Sequence, residues 1–127
     1  MSAFPCPCCG YLVFAEPPGS DDICMICFWE DDAAQLRFPT LGDQTNFVPL
    51  AEAQLNYARF GAIEERFAGD VRKHTPDDAR DPEFRPIEPH DSFEDVPTEA
   101  GGPSDPTALY YWRPTFWRRA AAPDPGP

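Results

Sequence analysis

The sequence lacks a long apolar run and has few of the residues on which most catalytic motifs depend. Its longest apolar stretch, Tyr11 to Ala15, is far shorter than the roughly 18–20 residues needed to cross a bilayer. His74 and His90 are the only histidines, and the sequence contains neither a glycine-rich phosphate loop nor a Ser/His/Asp arrangement at predicted strand ends. We therefore expect no membrane insertion and a protein that is not an enzyme.

Basic residues are absent from the first quarter of the chain. Residues 1–32 contain six carboxylates and no Lys or Arg, and the whole chain carries a formal charge of -12. Contacts to phosphates supply most non-specific affinity for nucleic acids, and they need basic side chains. We expect no direct binding of nucleic acid by this region, and the acidic balance favours a basic protein partner.

The first residues show neither the charged region nor the long apolar run of a secretory signal, so we expect none, and the number of cysteines in the chain is odd. Its five cysteines cannot all pair as disulfides, which favours a reducing, cytoplasmic location. Because 17 of the 127 residues are proline, we expect a small core. Cores of fewer than roughly 70–80 residues seldom supply more than about 3–5 kcal/mol, so a metal ion is the expected additional stabiliser.

Four of the cysteines form two pairs with the spacing of a metal site. Cys6 and Cys9 enclose a turn with Pro7 and are followed by Gly10, Cys24 and Cys27 repeat the two-residue gap, and 14 residues separate the pairs. We call Cys6 to Cys9 the first knuckle and Cys24 to Cys27 the second knuckle. Two such pairs joined by a hairpin can surround one tetrahedral ion, so we predict one structural Zn²⁺ with these four ligands.

Two alternatives to zinc use the same cysteines. An iron–sulfur centre also takes four thiolates, so the identity of the metal stays open. A redox-active CxxC motif would need a βαβ unit around it, and none fits before residue 32. Cys8 is left over at the tip of the first knuckle, where it is a spare small residue, an alternative ligand or a reactive thiol.

The patterns after the first knuckle predict a small α+β fold. Residues 10–14 are typical of a strand, residues 17–19 of a tight turn, and residues 22–23 begin a second hairpin arm. Apolar residues at helical spacing predict one amphipathic helix from near Pro49 to Phe60 or Gly61 and a second segment, Ala62 to Lys73. We therefore predict a zinc-ribbon-like β-hairpin module packed on one or two helices over residues 4–74. The carboxylates Glu30 to Asp32 indicate an acidic loop or a helix N-terminus.

Residues 75–127 are predicted to form an acidic, largely irregular tail. They contain 11 of the 17 prolines and few large apolar residues, so burial cannot offset their ordering entropy. The exception is the aromatic segment, residues 108–119, whose side chains can cover the core, anchor a protein partner or stack on single-stranded nucleic acid. The residues predicted for such an interaction are Tyr111, Trp112, Arg113, Phe116, Trp117 and Arg118.

Three stretches together resemble the cysteine-rich CPCC family. They are Cys-Pro-Cys-Cys-Gly-Tyr at 6–11, the second knuckle with Phe-Trp-Glu-Asp-Asp to residue 32, and Glu-Ala-Gln-Leu-Asn-Tyr-Ala-Arg-Phe-Gly at 52–61. The resemblance covers residues 4–70 and implies a small, chiefly bacterial zinc-binding domain.

The sequence as a whole favours a non-enzymatic zinc-binding domain that contacts another protein. The aromatic segment and the Glu30–Asp32 loop are the candidate contact surfaces. A second hypothesis is a zinc-ribbon accessory bound to nucleic-acid machinery rather than to the polymer. A third is a thiol-dependent enzyme that uses Cys8.

Overall fold

The structure is a computed structural model, and it describes residues 3–94 and 101–118. Its regular elements are short. Strands β1 and β2 span Phe4–Pro5 and Leu12–Phe14, helices α1 and α2 span Ala33–Arg37 and Leu50–Phe60, and two 3₁₀ helices span Glu65–Asp70 and Pro106–Leu109. In these two described stretches, no helix combines the length and apolar character needed to cross a membrane.

The first hairpin brings β1 and β2 together as an antiparallel pair. Phe4 lies opposite Phe14 and Pro5 opposite Leu12, with an irregularity between the two pairs. The first knuckle forms the reversal between the strands, so the predicted strand at residues 10–14 is shortened to β2. A single antiparallel bridge between Ile23 and Glu30 closes the second hairpin around the second knuckle.

Local sequence signals determine where the two α-helices begin and end. Asp32 caps α1, because its carboxylate accepts hydrogen bonds from the backbone N of Ala34 at 2.8 Å and of Gln35 at 3.3 Å. The prediction of α2 is confirmed. It begins after Pro49 and ends at Gly61, which adopts a left-handed conformation with φ of 80°.

The predicted second helical segment, Ala62 to Lys73, was wrong in extent and type. Only Glu65–Asp70 is helical, and it is a 3₁₀ helix. The backbone N of Ile63 donates to the Cys27 carbonyl at 2.9 Å, and Asn56 donates to the Ile63 carbonyl at 2.8 Å. These tertiary hydrogen bonds hold Ile63 in a non-helical conformation, although the spacing of the apolar residues in this segment is compatible with a helix.

A few of the described residues between positions 76 and 94 attach this largely exposed, irregular stretch to the core. Three backbone hydrogen bonds of 2.8 Å attach residues 79–87 to the rest of the fold: Leu12 N to the Ala79 carbonyl, Asp81 N to the Gly10 carbonyl, and Ile87 N to the Gln54 side-chain oxygen. Most of residues 79–87 remain exposed to solvent, but these hydrogen bonds attach the stretch to the core.

The aromatic segment completes the core. Tyr110 and Tyr111 are each 1% exposed, and Trp112 packs against Phe84, Tyr110 and Tyr111. Trp112 also donates its indole N–H to the buried Asp81 carboxylate at 3.0 Å. The segment thus covers the core, which was one of the three roles considered for it. Residue 119 lies outside the described residues.

We expect Trp112→Ala to destabilise the metal-loaded protein by about 3–5 kcal/mol, because it removes a buried indole and leaves Asp81 with one donor fewer. Trp117→Ala is the matched control: Trp117 is only partly buried, beside the Arg37 guanidinium, so its loss should cost clearly less. Urea unfolding followed by far-UV circular dichroism measures both. Equal losses would contradict the assigned position of the aromatic segment.

Candidate metal centre

The two knuckles have the same backbone geometry. In each, the N–H of the first cysteine donates to the carbonyl five residues later: Cys6 to Tyr11 at 2.9 Å and Cys24 to Trp29 at 2.8 Å. In each, the residue after the second cysteine donates back to the carbonyl of the first: Gly10 to Cys6 at 2.7 Å and Phe28 to Cys24 at 2.8 Å. The two knuckles are thus the same type of turn, and each directs two thiols toward the same point.

The residue that follows each knuckle has a left-handed backbone. Gly10 has φ of 81° and Phe28 has φ of 77°. Glycine adopts this conformation without strain, whereas a residue with a Cβ pays about 1–2 kcal/mol for it. Stacking of Phe28 on Phe67, with ring centroids 4.4 Å apart, helps to offset that cost at the second knuckle.

The four predicted ligands meet in one buried cluster. The Sγ atoms of Cys6, Cys9, Cys24 and Cys27 all lie within 4.8 Å of one another, and each of the four residues is 0% exposed. The Sγ–Sγ distance is 3.5 Å between Cys6 and Cys27 and 3.7 Å between Cys9 and Cys24, and none of the four forms a disulfide. We call this group the thiol cluster.

These distances fit a metal ion bound by four thiolates. Zn–S bonds of about 2.3 Å in a tetrahedron place the sulfurs roughly 3.8 Å apart. The chain contributes a further donor, since the Ile26 backbone N–H points at the Cys24 sulfur from 3.4 Å. The residues present therefore fit a four-coordinate ion.

The electrostatics of the thiol cluster also favour a cation. Burial raises the pKa of the Cys6 and Cys27 thiols well above its usual value. Hydrogen bonds from the other three thiols, that of Cys27 first, lower the pKa of the Cys24 thiol. Ionisation of the Cys6 and Cys27 thiols is therefore unfavourable without a cation, and a divalent ion supplies the charge that these deprotonations need.

Cys8 is not one of the four thiols of the thiol cluster, although its side chain interacts with that of Cys27. It is 3% exposed, and burial raises the pKa of its thiol. One of the three hypotheses for Cys8 was a reactive thiol, and such a thiol requires access to solvent and a lowered pKa. The position of Cys8 provides neither.

The predicted interaction residues of the aromatic segment are mostly buried or paired. Tyr111, Trp112 and Phe116 belong to the core. Arg113 binds the Asp81 carboxylate at 2.8 Å. Trp117 and Arg118 are partly exposed. The segment therefore does not present an exposed aromatic arm.

Two residues that support the first knuckle were not predicted from the sequence. Gln54 on α2 donates to the Pro7 carbonyl and to the Tyr111 hydroxyl, both at 2.9 Å. Arg80 donates to the Cys9 carbonyl at 2.9 Å, and its guanidinium lies between the rings of Tyr11 and Phe84. Gln54 lies among apolar residues on the buried face of its helix, and this position could have indicated a structural role from the sequence. No sequence pattern indicated such a role for Arg80.

Fold and site together define a small domain whose two cysteine knuckles can hold a metal ion. The chain belongs to the cysteine-rich CPCC family, whose sequence model, described as Cysteine-rich CPCC, matches residues 4–78. The family resemblance is thus confirmed. No curated protein matches the sequence. The match ends before the aromatic segment, although that segment supplies part of the core.

Single Cys→Ser substitutions should separate the ligands from the spare thiol. We expect Cys9→Ser and Cys24→Ser each to abolish stoichiometric metal binding, because three thiolates leave the ion's shell incomplete. Cys8→Ser, the matched control, should retain about one metal ion per chain. Elemental analysis of the purified variants measures the metal content, and equal loss in all three would overturn the ligand assignment.

A glycine series should show how much the first knuckle depends on Gly10. A Cβ at Gly10 would lie 2.5 Å from the Phe84 ring, in addition to the left-handed φ. At Gly61 the φ is also left-handed but nothing lies within 4 Å, and at Gly69 neither constraint applies. In thermal unfolding, Gly10→Ala should lose the most stability, Gly61→Ala less and Gly69→Ala least. At Gly61 the backbone strain alone should cost about 1–2 kcal/mol. A harmless Gly10→Ala would contradict this packing.

Proposed function

We propose that this chain is a non-enzymatic, zinc-stabilised domain that acts through contacts with another protein. The observation that carries the proposal is the closed thiol cluster. Four thiolates fill the coordination sphere of zinc, and a site with no open position suits a structural ion rather than a catalytic one. Thiolate ligands at tetrahedral spacing also suit zinc among the available divalent ions.

The surroundings of the nucleophilic and basic residues support a non-enzymatic role. Cys8 is closed off from solvent. His74 stacks on the Tyr11 ring, with centroids 4.9 Å apart, and the side chain of His90 is 75% exposed. In the part of the chain that the structure describes, neither histidine has a hydrogen bond to Cys8 of the kind that activates a thiol.

The proposed partner is a protein with basic residues at its contact surface. Of the acidic loop, Asp31 is 2% exposed and accepts a hydrogen bond from Ser20 at 2.7 Å, while Asp32 caps α1. Among the residues that the structure describes, the Glu30 side chain forms no comparable hydrogen bond. With the aromatic segment in the core, the acidic face beside the second knuckle becomes the favoured contact surface. Association with nucleic-acid machinery stays a prediction.

Removal of the metal tests the structural half of the proposal. Zinc binding by small thiolate sites contributes roughly 10–16 kcal/mol of apparent free energy near neutral pH, more than this core can supply. We expect a strong chelator to unfold the whole described structure and added Zn²⁺ to restore it, as followed by near-UV circular dichroism. Elemental analysis should give one zinc per chain. Iron with visible charge-transfer absorption, or an unchanged spectrum after chelation, would contradict the proposal.

A further inference from the structure

A groove of about 280 Å³ lies beside the second knuckle. Ile23 and Phe28 reach it from the second hairpin, Phe47 from the loop before α2, and Ile63 and Phe67 from the segment after α2. Glu30 also lines it. We call this feature the knuckle groove. Two of these walls are hydrogen-bonded to the second hairpin: Ile63 N to the Cys27 carbonyl and Asn46 to the Glu30 backbone.

Large apolar side chains are exposed at this face of the molecule. Ile23 is 50% exposed, Phe47 is 65% exposed, and Met25, at the tip of the second knuckle, is 58% exposed. Single exposed apolar residues are common on proteins, but contiguous patches mark contact sites. Here Ile23 and Phe47 line the same concave, partly apolar groove, and Met25 belongs to the neighbouring second knuckle.

The loop that presents Phe47 is held rigidly by its neighbour. Asn46 is 4% exposed and exchanges hydrogen bonds of 2.8 Å with the Glu30 backbone, through both the N–H and the carbonyl. The fully buried Gln35 accepts from the Asn46 backbone N–H at 2.9 Å and donates to its carbonyl at 3.0 Å. The loop that exposes Phe47 is therefore preorganised by hydrogen bonds, which lowers the entropy lost when a partner binds.

The charge at the knuckle groove is negative. Burial first, and then the carboxylates of Asp21 and Asp32, raise the pKa of Glu30. The one basic residue among the lining side chains is Arg66, which forms an ion pair with Glu64 at 3.0 Å and lies over the Phe67 ring at 4.4 Å. Residues 16–32 carry six carboxylates and no Lys or Arg. An occupant with a cationic side chain would complement this surface.

We propose that the knuckle groove binds a segment of a partner protein that carries a bulky apolar residue next to a lysine or arginine. The apolar side chain contacts Ile23, Phe47 and Phe67, and the cation faces Glu30. This inference rests on the proposed function and names the surface and the partner chemistry. A second copy of the chain is disfavoured as occupant, because each copy has a formal charge of -12 and like-charged faces repel.

A random dodecapeptide display library, selected on the zinc-loaded full chain, tests the proposal. We expect the selected peptides to combine an aromatic or large aliphatic residue with Lys or Arg within two positions. Fluorescence polarisation of a labelled winning peptide should show at least tenfold weaker binding to Phe47→Ala and to Glu30→Gln. It should also weaken as salt rises from about 50 to 300 mM, since charge pairs at a surface are screened.

Matched controls come from α2, outside the knuckle groove. Leu55 is 67% exposed, so Leu55→Ala removes an exposed apolar side chain elsewhere, and Glu52→Gln removes a carboxylate elsewhere. Both should bind the peptide as the unchanged chain does. The zinc content and the thermal midpoint of every variant must match those of the unchanged chain. For Phe47→Ala we expect this because the Phe47 ring is exposed.

The possible contrary results separate this inference from the proposed function. Selected peptides without a basic residue, or binding that is insensitive to Phe47→Ala, would contradict the proposed role of the knuckle groove. The proposed function, contact with a protein partner, would still stand. Self-association in sedimentation equilibrium that Phe47→Ala abolishes would overturn this inference in favour of a second copy. Failure of the library together with failure of metal-loaded chain to cross-link to any protein in cell extract would overturn both.

Discussion

Burial of four thiols around one point is the constraint on which the structure depends. Without an ion, hydrogen bonds stabilise the Cys24 thiolate, and burial opposes ionisation of the Cys6 and Cys27 thiols. With an ion, two hairpins too small to be stable alone are fixed to each other. The supporting contacts converge on the same place: Gln54 from α2 on the Pro7 carbonyl and Arg80 on the Cys9 carbonyl.

The parts of the fold that could be predicted are those that local chemistry determines. Paired cysteines two residues apart, with Pro7 and Gly10 around the first pair, dictate a turn wherever they occur. The boundaries of α2 likewise follow from Pro49 before it and Gly61 after it. Such signals need no knowledge of distant residues, and the four ligands and this helix were found by them.

The parts that could not be predicted depend on partners far away in the sequence. Ile63 leaves the helical pattern because its N–H bonds to Cys27, and the stretch after Pro76 is ordered because its backbone bonds to Gly10, Leu12 and Gln54. Composition alone indicated that this stretch could not offset its ordering entropy. The aromatic residues that do so lie more than 20 positions later, in the segment around Tyr111.

The hydrogen bonds of Gln54 join residues 47 positions before it and 57 positions after it. During synthesis both knuckles leave the ribosome before Phe116, which closes the core and follows almost ninety residues after the last ligand. At about 5–20 residues per second, this delay lasts roughly 4–18 s. For that interval the nascent chain holds all its ligands but lacks core residues of the aromatic segment, so the ion can enter before that segment covers the site.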